Sequence, residues 1–121
     1  ATAAIGVLRD QRLAERAARM GPPMLEALGE RLEGVPGVAE VRGLGLWAGV
    51  EIEDAEGRPD PQAAARAVRR AREDGVLVGR GGHAENVVKL SPPLVIEEDA
   101  LDDGVQTVAG AIRHVMEGVR A

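Results

Sequence analysis

Lys89 is the single lysine among 15 basic side chains, all the others being Arg. It is the one side chain here whose amine could condense with a carbonyl, and its charged form could meet an anionic substrate. It lies in Asn86-Val87-Val88-Lys89-Leu90, a run with strand character in which Val88 and Leu90 face the other way. A strand lysine also has a plain use, its stem resting on apolar surface while its ammonium reaches water. Sequence alone leaves both uses of Lys89 open.

Other chemistries find less support. His83 and His114 are too few and too isolated for a metal site, and the chain has no cysteine for a disulfide or a thiolate ligand. No Ser, His and Asp stand in an order that suggests a triad. Glu97, Glu98, Asp99, Asp102 and Asp103 read as the solvated start of a helix. Gly79-Arg80-Gly81-Gly82 invites comparison with a phosphate loop, but a strand is expected after it, so no helix N-terminus faces an anion.

Step spacing predicts the elements that position these residues. Ile5 and Leu8, then Leu13, Ala17, Met20, Met24 and Leu28, keep helical steps. Gly21-Pro22-Pro23 is expected to break or sharply kink that helix with Met20 and Met24 still facing inward. Gly34, Pro36 and Gly37 end it. Val38 to Arg42 reads as a short strand. Leu44 to Glu53 reads as a longer one, with Leu46, Ala48, Val50 and Ile52 on one face. Residues 54–59 form a polar turn. Asp60 then caps a helix that opens on Pro61, buries Ala64, Ala67, Val68 and Ala71, and closes at Gly75.

Strands are expected over Val76 to Gly79 and Asn86 to Leu90, separated by a glycine-rich loop from Arg80 to Glu85. Pro92 and Pro93 end the second. A last helix starts near Glu97 to Asp99 and turns Leu101, Val105, Val108, Ile112, Val115 and Val119 inward. The order predicts an α+β domain over 1–121, with helices packed on a small, mainly antiparallel sheet: a helical lead-in over 1–34 and an α/β core over 35–121.

Composition bounds the function. A chain of 121 residues is one domain's length. A net charge of −5 argues against nucleic acid as a partner. No apolar run is long enough to span a bilayer and no signal peptide is visible, so a cytoplasmic protein is expected. Trp47 is the only aromatic residue, so the core must be aliphatic. The Arg bias is what a GC-rich genome produces.

Two runs then carry a resemblance. Val41-Arg42-Gly43-Leu44-Gly45-Leu46, continued by Gly49-Val50-Glu51, resembles the "VRGxGLxxGVE" strand of class III aminotransferases. Gly75-Val76-Leu77-Val78-Gly79-Arg80-Gly81-Gly82, followed by residues Asn86 to Ile96, resembles their "GLLVGRGG…NVLRLAPPLVI" segment. Ala1 to Leu8 is similar to the helix after the family's cofactor segments. The likeness covers essentially all of the chain in order, and the "VGRGG" wording is most similar to the alanine–glyoxylate-like branch.

The resemblance implies the C-terminal small domain of a homodimeric enzyme that moves an amino group from an amino acid or amine to a 2-oxo acid with pyridoxal phosphate. It places the cofactor lysine and most phosphate ligands upstream of Ala1, in a large domain. No catalytic, cofactor-binding or metal-binding residue is then expected within this chain. Lys89 stands where the family usually has an Arg that contacts substrate carboxylate or an active-site glutamate. Lysine keeps the charge and loses the two-pronged geometry. Two other departures are Pro22 and Pro23 in a helix that is normally unbroken, and Glu97 where a capping Thr is common. The reading from another class is a stand-alone α+β ligand-binding or regulatory module without catalysis.

The chain alone is therefore expected neither to transaminate nor to hold pyridoxal phosphate covalently. Borohydride treatment with added cofactor should leave Lys89 unmodified; a stoichiometric adduct there would contradict this.

Overall fold

Steps of three and four between apolar residues become helix α1, Thr2–Leu32, in the computed structural model. The structure describes residues 2–76, 78–93 and 96–120, with side-chain surroundings for 11–76, 78–93 and 96–118. Ile5, Leu8, Leu77, Leu94, Val95 and Val119 lie outside those side chains. Met20, Met24, Leu28 and Leu32 are buried along one stripe, and Leu13 and Ala17 are half-buried on it.

The break expected at Gly21-Pro22-Pro23 is not there: α1 continues through both prolines. A proline inside a helix lacks a donor and crowds the carbonyl four residues back, at a cost of about 3 kcal/mol or more. Both prolines are on the exposed side, while Met20 and Met24 beside them are 4% and 2% exposed. Gly21 is buried against the chain at Gly45, so closely that an added Cβ would fall 2.1 Å from the Gly45 carbonyl oxygen. Tertiary contacts on both sides of the prolines hold a helical path that local preference disfavours.

Strand β1 (Val38–Gly43) pairs antiparallel with β2 (Ala48–Ile52). Leu44 to Trp47, expected to open the second strand, instead form the hairpin turn. Leu44 N–H donates to the Trp47 carbonyl at 3.0 Å and Trp47 N–H to the Leu44 carbonyl at 3.2 Å. Gly45, with φ 57, gives the positive φ that such a two-residue loop takes at its first central position. Turn chemistry, not apolar alternation, decides where β2 begins.

Asp60 caps helix α2 (Pro61–Glu73), its Oδ1 accepting Ala63 N–H at 3.0 Å. The expected alanine stripe is buried, together with Ala63. At the far end Gly75 N–H donates to the Arg72 carbonyl at 3.0 Å and Val76 N–H to that of Ala71 at 2.9 Å. With Gly75 at φ 94, this is a Schellman cap. Val76 is thus used up in the cap, and the strand expected over Val76 to Gly79 forms later, as β3 (Gly79–Gly81). Strand β4 is Val87–Leu90, and helix α3 is Glu98–Arg120 with Glu98 and Asp99 in its first turn.

The strands lie in the order β1-β2-β4-β3, every neighbour antiparallel, which is the expected α+β arrangement. Helix α1 packs on β1 and α3, and α2 packs on β2, β3, β4 and α3. Ala48, Val50, Ile52, Val88 and Leu90 meet these helices in one core. Buried Asn86 locks the end of that sheet: its Nδ2 donates to the Ile52 carbonyl at 2.9 Å, and its own carbonyl accepts Ile52 N–H at 2.8 Å. Among the described residues no helix is long and apolar enough to cross a membrane.

Two glycines of α1 separate the close approach from ordinary helix propensity. Gly29 has nothing within 4 Å of an added Cβ. Gly29→Ala is expected to gain about 0.5–1 kcal/mol, as an alanine does in a helix interior. Gly21→Ala is expected to lose about 1–3 kcal/mol through overpacking. Urea midpoints decide between them, and a gain at both positions would contradict the contact with Gly45.

Candidate functional site

Strand register divides the sheet into two faces. With Val50 opposite Val88 in the core, the other face carries Arg42, Gly49, Lys89 and Gly79 in one row and Glu40, Glu51, Val87 and Gly81 in the next. This second face stays open: the side chains of Arg42 and Glu40 are 41% and 58% exposed. Three of its positions are glycines, and two of them, Gly49 and Gly81, are buried beneath side chains from other positions. The Trp47 indole occupies part of that space, with Cη2 at 3.2 Å from where a Gly49 Cβ would be. Val87 is buried here, outside the main core cluster.

Lys89 is half-buried on this open face, away from Val88 and Leu90, as alternation predicts. Its side chain lies across β3: an added Cβ at Gly81 would fall 2.3 Å from both Cε and Nζ. The other cation of the face is neutralised, since Arg42 Nη1 stands 3.2 Å from Glu40 Oε2 and 3.1 Å from Glu51 Oε2. Lys89 has no ion pair among the described residues. A lone ammonium over a glycine floor can take a carboxylate from the open side by a charge-assisted hydrogen bond.

The remaining candidates stay apart. His114 is exposed, its Nε2 3.4 Å from Arg70 Nη1, and His83 is exposed beyond β3. Glu97, Glu98, Asp99, Asp102 and Asp103 are exposed around the start of α3. Among the described residues no group of His, Cys, Asp or Glu could hold a metal ion.

The residues present do not fit pyridoxal phosphate. The amine of Lys89 lies against Gly81 of its own sheet. The glycine run passes from β3 straight into β4 and offers no helix start to a phosphate. The start of α2 is already capped by Asp60.

Sequence reasoning missed the pairing of Arg42 with Glu51 and the seats of Trp47 and Lys89 over glycines. Glycine at alternate strand positions 79 and 81 was the available signal. That Lys89 fills the gap at Gly81 follows only from register.

The profile of the family described as Aminotransferase class-III matches residues 1–112. The chain is 30% identical over 118 residues to an alanine/serine racemase from Pyrococcus horikoshii, covering 98% of this chain and 25% of that protein. It is 40% identical over 112 residues to an acetylornithine aminotransferase from Methanothermobacter thermautotrophicus, covering 93% of this chain and 26% of that one. A Bacillus anthracis aminotransferase of known structure superposes with a TM-score of 0.79 at 33% identity, over 90% of this chain and 26% of its own. The chain thus spans about a quarter of the length of the curated relatives it matches.

Trp47, as the sole aromatic residue, reports on the floor directly. An added Cβ at Gly49 would come within 3.0 Å of Val87 Cγ1 and 3.2 Å of Trp47. Gly49→Ala is expected to push the indole into water, with a red-shifted emission and a loss of about 1–3 kcal/mol from overpacking. Unchanged emission would show that Trp47 does not rest on this glycine.

Proposed function

The chain belongs to the class III aminotransferase family, and from that premise we propose that it is the C-terminal small domain of a pyridoxal-phosphate-dependent aminotransferase. The intact enzyme would move an amino group from an amino acid or amine to a 2-oxo acid. One observation of the structure carries this reading: an open sheet face with the unpaired cation Lys89 on it. On this reading the rest of the enzyme covers that face and brings cofactor and substrate to it. The hairpin tip Leu44, 86% exposed, is covered in the same way.

Lys89 then holds the carboxylate of the substrate, and Arg42, occupied by two carboxylates, does not compete for it. The cofactor and the lysine that binds it belong to the larger domain, and no step of their chemistry falls to this chain. The intact enzyme is on this reading a cytoplasmic homodimer, as the resemblance implies. The Gly79-Arg80-Gly81-Gly82 wording supports a place near the alanine–glyoxylate-like branch. A stand-alone binding module is disfavoured because the relatives are several times longer than this domain.

A racemase among the relatives makes amino transfer the property to test. The intact enzyme with cofactor, an amino donor and a 2-oxo acid should yield the new amino acid. Inversion of the donor without transfer would replace this reading with racemisation.

Lys89→Ala in the intact enzyme removes a charged hydrogen bond, expected to cost about 1.5–3 kcal/mol. That is roughly a ten- to hundredfold loss in kcat/KM. Lys89→Arg should retain or improve activity, because the guanidinium restores a bidentate fork. An unchanged kcat/KM in Lys89→Ala for both substrates would reduce Lys89 to a surface lysine.

A further inference from the structure

We infer that Gly81 is a positioning residue for Lys89, its missing side chain being the recess that sets where the ammonium sits; the inference rests on Lys89 being the partner of the substrate carboxylate. A lysine stem has four rotatable bonds and, on an open sheet, many directions to take. Here the direction is defined. The outer end of the side chain fills the space above Gly81, with Cδ 3.1 Å and both Cε and Nζ 2.3 Å from a Cβ built there. Gly81 faces Val87 in register, so the stem runs diagonally from its own row to the next and out toward the β3 edge.

The alternative seat for the ammonium is beside Glu51. Glu51 faces Val87 from β2, diagonal to Lys89, and would attract the ammonium. Arg42 holds that carboxylate at 3.1 Å. The end of Lys89 lies over β3 instead, with no ion pair among the described residues. Gly81 therefore does for this lysine part of what a rigid guanidinium fork does for arginine: it fixes the cation before the carboxylate arrives. A single ammonium gives one point of attachment, so its placement decides how a substrate carboxylate is aligned.

The nearest atoms to a Cβ at Gly81 all belong to the flexible end of Lys89, so Gly81→Ala should fold. Gly110 is the control. It lies on the exposed side of α3, away from this face, and among the described residues nothing lies within 4 Å of an added Cβ there. The experiment uses the intact enzyme with Gly81→Ala, Gly110→Ala, Lys89→Ala and the Gly81→Ala/Lys89→Ala pair. Two readouts are taken: the rate of Lys89 acetylation by an activated acetate ester, resolved by peptide mass spectrometry, and the KM and kcat for the 2-oxo acid. Gly81→Ala should raise the acetylation rate about threefold or more, within the range of couplings between residues in contact. KM should rise with it, and kcat should move less. Gly110→Ala should change neither readout, and Gly81→Ala should have no effect on KM in the Lys89→Ala background. An unchanged acetylation rate in Gly81→Ala overturns the positioning itself. A raised acetylation rate with unchanged KM overturns the proposal through its premise, the substrate role of Lys89, and so tells the two failures apart.

Discussion

The structure depends on a sheet that is packed on one side only. Among the described residues, four short strands and three helices form a single core, with the helices gathered on one face. Ala48, Val50, Ile52, Val88 and Leu90 bury that face and hold the sheet together. The opposite face packs little beyond Val87 and the Trp47 indole. It carries what a core could not hold: an ammonium with no ion pair among the described residues and an arginine between two carboxylates, beside glycines on which Trp47 and Lys89 rest. A second layer of helices over it would bury Lys89 without a partner, at a desolvation cost of several kcal/mol. The same alternation that makes the core therefore makes the site.

The core also overrules local preference where the two disagree. Two consecutive prolines within α1 argue for a break, yet Met20 and Met24 are fixed in the core on either side. Gly21 between them lets the helix backbone approach the β1–β2 turn at Gly45. A glycine that weakens a free helix is here the condition for docking it. The helix, the hairpin turn and the origin of β2 are thus one cooperative unit, and β2 in turn carries Gly49 opposite Lys89.

Much of this was legible in the sequence. Apolar steps located the buried stripes of all three helices, Asp60 and Gly75 marked the ends of α2, and alternation put Lys89 opposite the core. What was not legible had a common cause. The start of β2 depended on the two-residue turn at Gly45, and the start of β3 on the Schellman cap that absorbs Val76. Both are hydrogen-bonding demands that compete with a hydrophobic pattern and override it locally. The glycine floor was hidden for a different reason. Gly49 lies far from Gly79 and Gly81 in the chain, and only strand register brings them around one lysine.

On the proposed function, the open face of this sheet, through Lys89, meets the substrate carboxylate in the intact enzyme. A crystal structure of that enzyme with cofactor and a bound dicarboxylate inhibitor tests it most directly. The remainder of the enzyme should pack over this face, with Lys89 Nζ within hydrogen-bonding distance of an inhibitor carboxylate. Lys89 pointing into bulk solvent, with the inhibitor held wholly by residues beyond this chain, would contradict it.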